Sequence, residues 1–460
     1  VRSYIGQWII VGFEPSEIIA SAPTAAPPSV PSAATRHNVV RPSQAVAISS
    51  GTDIDRLTLF RDGTPVLSTA DGAFVAPDAP GRYALRVHAS EGQWTLPFTV
   101  GLRLPESPGW EESFFPVHFY NGWGYVGTFH PYPAMRKELE ILSMFELGAN
   151  TFYTSAGNDL IAALGAREIL NVRRDTKWLA REVDDPNRVR SGFRSVVRSA
   201  QPFRTSTLGL YVEDEPPASA LDALRIFEDE KLRLAPEIDL LYTVHGADRA
   251  AFWAEAGSTV RMIRAYPIRK TRRDDTVASV MGELADRLAD AQRNSVGGRL
   301  WLVAQSFGDM GKPDLWDVPT PAEMRLMINL ALARGTRGLT YFCYDSSPRA
   351  KEWLEGLAVW PFVPANELYH EVGRINRRVA SLAPTITDLR WVEEAGQPAQ
   401  RFDVQLLVDG AGQPYAWITN LDTQRAAEST IVVNDAYEPV SVELAAGDGV
   451  LVRLSQSPRH

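Results

Sequence analysis

The chain is almost without cysteine. Its one thiol, Cys343, excludes an intrachain disulfide and any cysteine-built metal site. Long apolar runs are missing as well, since none approaches the roughly 18–20 residues a membrane-spanning helix needs. There is no basic stripe, and the net charge is −9, so neither nucleic acid nor a membrane is expected as a partner. No His-Glu-x-x-His, P-loop, EF-hand loop or Gly-x-Ser-x-Gly elbow occurs, and no metal or cofactor is expected.

What is present is enough chain for two or three domains: 460 residues of ordinary globular composition. Arg2, the apolar run Tyr4–Phe13 and Ala20-Ser21-Ala22 loosely resemble a signal peptide, although Glu14 and Glu17 interrupt it. A secreted or periplasmic protein is the expectation. Residues 15–34 are rich in Pro, Ala and Ser, as linkers are. From Val39 to Val100 short alternating runs with an Asp62-Gly63 turn predict an Ig-like β-sandwich, placed within residues 1–103.

The middle of the chain changes period. Apolar strands are predicted at Phe114–Tyr120, Asn150–Thr154, Glu168–Val172, Leu208–Glu213, Asp239–Val244, Val260–Tyr266, Leu300–Gln305 and Gly338–Tyr344. Amphipathic helices fit between them. One is Met135–Leu147, stopping at Gly148, and another opens at the capping box Thr320-Pro321-Ala322-Glu323. Eight strand-then-helix units predict an α/β fold, a parallel (β/α)8 TIM barrel over residues 111–384. A doubly wound sheet is the rival, but Tyr120-Asn-Gly-Trp-Gly-Tyr125 lacks its glycine fingerprint. Residues 385–460 read as a small C-terminal β-sandwich.

Barrel chemistry gathers where strands end, so those ends form the candidate site. The fourth strand ends in Glu213-Asp214-Glu215-Pro216. Three carboxylates there do not help the strand fold; crowded like charges suit general acid work, while an acidic helix cap is the alternative. The other ends deliver His118, Tyr120, Asn121 and Trp123, then Tyr153, the Arg173-Arg174-Asp175 run, His245, Tyr266, Gln305 with Asp309 nearby, and Tyr344 with Asp345. The arginines after strand three are either solvated surface or a balance for the acidic tip. Aromatics, amides and carboxylates together are what a sugar site needs.

Asp214-Glu215-Pro216, and more weakly Tyr266, resemble the large clan of retaining (β/α)8 glycoside hydrolases. That resemblance implies a glycosidase with Glu215 as acid/base and a nucleophilic glutamate ending strand seven. Strand seven instead ends in Gln305, and an amide can neither attack nor act as base. Asp345 is the first candidate for the second carboxylate, then Glu213, two residues from Glu215 and therefore on the same side of an ideal strand; Asp309 is third. Asp214, Asn121, Tyr266, Gln305 and Tyr344 are expected to orient hydroxyls, Trp123 and Tyr153 to stack on rings, and His118, Tyr120 and His245 to line the site. The expected partner is a poly- or oligosaccharide, and the rivals are a non-catalytic glycan-binding protein on a decayed barrel and a purely structural surface protein.

Overall fold

A computed structural model describes residues 38–48, 54–70, 72–90, 92–103, 110, 113–120, 133–154, 158–173, 176, 184–200, 205–244, 260–270, 277–293, 298–310, 315–349, 352–392 and 401–457. They fall into two compact units, Val1–Pro105 with Asn158–Ala166, and Glu106–Gly157 with Arg167–His460. The segment read as an export signal and linker lies outside the described residues, as do residues 245–259, where a barrel helix is expected.

In the first unit, Val39–Val40, Gly92–Val100, Gly81–Ala89, Ile54–Arg61 and Thr64–Thr69 form one sheet, and Ala45–Ala47 pairs with Ala73–Val75 in another. Val46 and Phe74 from the small sheet share a core with Leu57, Leu59, Leu85 and Phe98 from the large one. The Asp62-Gly63 hairpin turn has positive φ at both residues, as its sequence predicts. One helix departs from expectation. Asp159–Ala163, which follows the second barrel strand in sequence, groups with this unit, and Leu102 N–H donates to Leu164 O at 2.7 Å.

The second unit contains a closed barrel of eight parallel strands. They are β1 (Val117–Tyr120), β2 (Thr151–Thr154), β3 (Arg167–Asn171), β4 (Thr207–Asp214), β5 (Asp239–Val244), β6 (Val260–Ala265), β7 (Arg299–Gln305) and β8 (Gly338–Phe342). All eight expected strands are present, because parallel strands covered on both faces must be apolar along their whole length. β6 and β8 end slightly early, which leaves Tyr266 and Tyr344 just beyond them.

The helices of this unit are α1 (Pro133–Glu146), α2 (Pro186–Ala200), α3 (Leu221–Leu234), α4 (Val277–Arg293), α5 (Pro321–Ala333) and α6 (Leu368–Ile386). The capping box at α5 is complete: Thr320 Oγ1 accepts from Glu323 N–H, and Glu323 Oε2 accepts from Thr320 N–H at 2.7 Å. Among the described residues no helix is long and apolar enough to cross a membrane.

The barrel interior is filled by side chains. Ile169, Leu208, Tyr211, Leu241, Val260, Met262, Trp301 and Val303 form its core with Tyr153. Trp110 lies 5.4 Å from Trp301, ring to ring, and the Arg299 guanidinium covers Trp110 at 4.5 Å. A Cβ at position 338 would sit 2.5 Å from the Trp301 ring, so only glycine lets that indole fill the lumen. With the lumen packed, a ligand of the barrel would have to sit beyond the strand C-termini.

After α6 the chain forms a four-stranded sheet, Arg390–Val392, Phe402–Val408, Pro414–Asn420 and Gly449–Arg453, and a pair, Ala427–Ile431 with Val440–Leu444. Both contribute to a core of Phe402, Val404, Ile418, Ile431, Val442 and Leu444. These strands share one compact unit with the barrel. Arg334, at the end of α5, makes a two-pronged contact with Asp403, Nη1 to Oδ2 at 2.9 Å and Nη2 to Oδ1 at 3.0 Å.

Candidate active site at the barrel mouth

The tip of β4 departs from the regular alternation of a strand. Its register against β5 slips between Tyr211 and Glu213, and Glu215 has φ +55°. A left-handed backbone at a residue with a long side chain is strained and needs surrounding contacts to hold it. Glu215 N–H donates to Thr243 O at 3.0 Å, and Arg264 Nη1 lies 2.7 Å from Glu215 Oε1. Glu215 therefore reaches past β5 to a cation on β6.

Glu213 and Asp214 turn the other way, to Arg173 beyond β3. Arg173 Nε donates to Glu213 Oε1 at 3.1 Å, and its Nη1 lies 3.2 Å from Asp214 Oδ2. Glu213 Oε1 also accepts from Asp214 N–H at 3.0 Å. The two-residue spacing of Glu213 and Glu215 thus does not give them a shared set of partners. The like charges expected to crowd one another are interleaved with two guanidiniums. Exposure separates the carboxylates further: the Glu213 side chain is 6% exposed, those of Asp214 and Glu215 each 35%.

Beneath this tip lie tyrosines. Tyr120 packs edge-on to Tyr153 at 5.6 Å, and Tyr153 lies 5.0 Å from Tyr211. Burial holds the Tyr153 and Tyr211 hydroxyls well above the usual phenol range, and the Asp214 charge adds to it. They are therefore neutral groups able to donate. His118 is one layer deeper, fully buried, 4.0 Å from the Tyr153 ring, with neither ring nitrogen hydrogen-bonded. Burial lowers it to about 3, and a histidine at that depth is a neutral lumen residue rather than a contact for a ligand in the mouth.

An aromatic wall stands at the ends of β6, β7 and β8. Tyr266 stacks on Phe342 at 5.6 Å and meets Phe307 at 5.0 Å and Trp316 at 5.6 Å edge-on. The Arg264 guanidinium covers the Tyr266 ring at 5.2 Å.

Gln305 is fully buried and has its amide committed to backbone. Oε1 accepts from Ile268 N–H at 2.9 Å, and Nε2 faces the carbonyls of Ile268 at 2.8 Å, Phe307 at 3.2 Å and Asp317 at 2.8 Å. It clamps the loop after β6 to the loop after β7. Asp309 is also buried in that second loop, where its carbonyl accepts from Lys270 Nζ at 2.7 Å.

Tyr344, just after β8, is directed at α1. Tyr344 is buried, and its hydroxyl donates to Ser143 Oγ of α1 at 2.6 Å. Asp345 is 4% exposed, and its charge is felt by Glu140 of α1. Burial holds Glu140 above the usual carboxylate range against the opposing pull of Arg136, and the Asp345 charge adds a smaller push in the same direction as burial. Asn121, Trp123 and His245 lie outside the described residues. Among the described residues, no group of three or more side chains gathers to hold a metal ion.

Three participants are absent from the list of strand ends: Thr243, Arg264 and the Phe307–Trp316 pair. Arg264 was visible in principle, since it lies two residues before Tyr266 and so shares its strand face. Thr243 had no such signal, being an ordinary β-branched residue inside an apolar strand.

No protein-family model and no curated protein matches the chain. Solved structures similar to it include a β-glucuronidase from Dictyoglomus thermophilum, at 12% identity and TM-score 0.42, over 73% of this chain and 66% of that one. A β-galactosidase from Marinomonas is 13% identical with TM-score 0.47, over 60% and 62% of the two chains. A β-glucuronidase from Faecalibacterium prausnitzii is 12% identical with TM-score 0.41, over 74% and 65%. In each case the match spans less than two thirds of the other protein's length.

Proposed function

We propose that the protein is a glycoside hydrolase acting on a poly- or oligosaccharide at the barrel mouth, and that it is exported. The observation that carries this reading is Glu215, held in left-handed backbone geometry at the end of β4 and gripped by Arg264 from β6. Strain of that kind is not needed to end a strand, and it is kept where a side chain must be aimed. The aromatic wall at Tyr266 suits the apolar face of a pyranose, and the partly exposed carboxylates beside it suit hydroxyls.

In this mechanism Glu215, with Oε1 held by Arg264 and a proton on Oε2, gives that proton to the glycosidic oxygen as the bond to the anomeric carbon breaks. Glu213, braced by Arg173, supplies the second carboxylate, attacking that carbon or drawing a proton from the water that does. We place Glu213 ahead of Asp345 because Glu213 shares the tip of β4 with Glu215 and is braced there by Arg173. The second reading, a glycan-binding protein without catalysis, is favoured by Gln305, whose clamp leaves no carboxylate at the end of β7.

Screening the full chain on a panel of polysaccharides and 4-nitrophenyl pyranosides tests the proposal, with Glu215→Gln as the comparison. Sugar release by the wild type that falls at least about a thousandfold in the variant is the expected result. Glycan binding without release on any substrate would support the second reading. Hydrolysis that survives in Glu215→Gln would overturn the site.

A further inference from the structure

The tip of β4 has a support that an acidic cap does not require. Asp214 and Thr243 are cross-strand neighbours in the β4–β5 ladder, and Thr243 Oγ1 donates to Asp214 Oδ1 at 2.5 Å. The Tyr211 hydroxyl lies 2.9 Å from the same Thr243 oxygen. A threonine has one proton to give, and an ionised carboxylate can only accept. Thr243 therefore gives its proton to Asp214, and Tyr211 donates to Thr243. The direction of this relay is fixed: Tyr211 to Thr243 to Asp214. The tyrosine at its base is 1% exposed and packed against Tyr153, so its hydroxyl is itself held in place.

The other Asp214 oxygen faces Arg173 at 3.2 Å. Groups from β4, from β5 and from the segment after β3 thus fix one carboxylate in position and rotation. Glu213, its neighbour, is braced by Arg173 and by the Asp214 N–H and is 6% exposed, whereas the Asp214 side chain keeps about a third of its surface open, 35%. A carboxylate held on both oxygens still has free lone pairs, and these accept from hydroxyl donors.

We infer that Thr243 and Tyr211 are positioning residues that aim Asp214 at a hydroxyl of the bound sugar, making that hydroxyl a specificity determinant; this rests on the sugar-site reading of the mouth. Substrates that lack the donor would leave the open lone pairs of Asp214 without a sugar partner and react more slowly.

Three variants of the full chain test this on whichever 4-nitrophenyl pyranoside or polysaccharide the wild type cleaves. Thr243→Val keeps the shape and removes the relay; kcat/KM should fall by about tenfold or more. Thr243→Ser restores the hydroxyl and should stay within about threefold of wild type. Thr243→Val also leaves the Tyr211 hydroxyl without its partner, so its urea midpoint should drop. Adding Tyr211→Phe removes that orphan, and the pair should regain stability but not turnover. A purely structural role would return turnover together with stability, and that result overturns the inference. Wild-type kcat/KM in Thr243→Val overturns it too. Were the wild type to cleave and bind none of these glycans, the sugar-site reading would fail and this inference with it. An active wild type with unaffected variants would sink the relay alone.

Discussion

Arg264 Nη1 lies 2.7 Å from Glu215 Oε1, so a cation on β6 holds a carboxylate that begins two strands away on β4. The backbone of Glu215 is the other half of that arrangement, at φ +55°. A left-handed conformation costs an L-residue about 1–2 kcal/mol, and glycine escapes it. Glu215→Gly should therefore be more stable than Glu215→Ala by about 1 kcal/mol, although both lose the same ion pair. Both should lose sugar release. Urea unfolding of the two variants checks this, and equal midpoints would mean that the backbone at 215 is not strained.

Removing the partner asks a different question of the same contact. Arg264 and Glu215 are each about a third exposed, at 29% and 35%. A partly exposed pair is worth about 1 kcal/mol, and Glu215 Oε1 is itself buried, so Arg264→Gln, which still offers an amide donor, should lower the unfolding free energy by no more than about 1 kcal/mol. Its effect should appear in turnover, because the aim of Glu215 is lost; a fall of about tenfold or more in kcat is expected. A variant that loses stability but keeps kcat would make Arg264 a structural residue only.

Gln305 stands where the resemblance to retaining barrel glycosidases calls for a glutamate, which makes restoring the acid an obvious experiment. The geometry argues against it. Gln305→Glu replaces a donor that faces three carbonyls with a carboxylate that repels them, in a fully buried position. Removing that donor and burying a charge among carbonyls should cost about 3 kcal/mol or more. We expect Gln305→Glu to unfold at lower urea and to gain no activity. A stable, more active variant would show that the amide is a lapsed nucleophile rather than a clamp.

These two positions also mark where sequence reasoning stops. The eight strands were legible because each is covered on both faces and so is written as an unbroken apolar run. The α5 capping box and the Asp62-Gly63 turn were legible because their chemistry is local. Glu215 was legible as a candidate but not its direction, since a bulge and a positive φ undo the alternation from which side-chain direction is read. The role of Gln305 depends on carbonyls of Ile268, Phe307 and Asp317, which meet only once the loops have folded. The Tyr344 hydroxyl likewise finds Ser143 of α1, a partner distant in sequence that no local pattern announces.

The β strands at the C-terminus are tied to the barrel by Arg334 and Asp403, whose side chains are 8% and 14% exposed. Cutting one partner from so buried a pair leaves a charge without compensation, at a cost of about 3–5 kcal/mol. Asp403→Ala should show that loss in urea unfolding. Arg334→Met combined with Asp403→Leu should recover most of it, since an apolar pair of similar size avoids the desolvation. If the double variant is as unstable as Asp403→Ala, the pair does more than neutralise itself.

His118 predicts a pH dependence whose sign can be worked out. Its ring is fully buried without a hydrogen-bond partner, and burial lowers it from 6.5 to about 3. In the unfolded chain the imidazole takes up a proton near pH 6.5, while in the folded barrel it stays neutral far below that. Its contribution to stability is thus complete above about pH 6.5 and drains as the pH falls toward about 3, by up to about 1.4 kcal/mol per pH unit. His118→Phe fills the same space against Tyr153 and has nothing to protonate. Between pH 7.5 and pH 5 the stability of the variant should rise relative to wild type by about 2 kcal/mol. Urea unfolding at the two pH values checks this, and a gap that stays constant would mean that His118 reaches protons through an opening in the lumen.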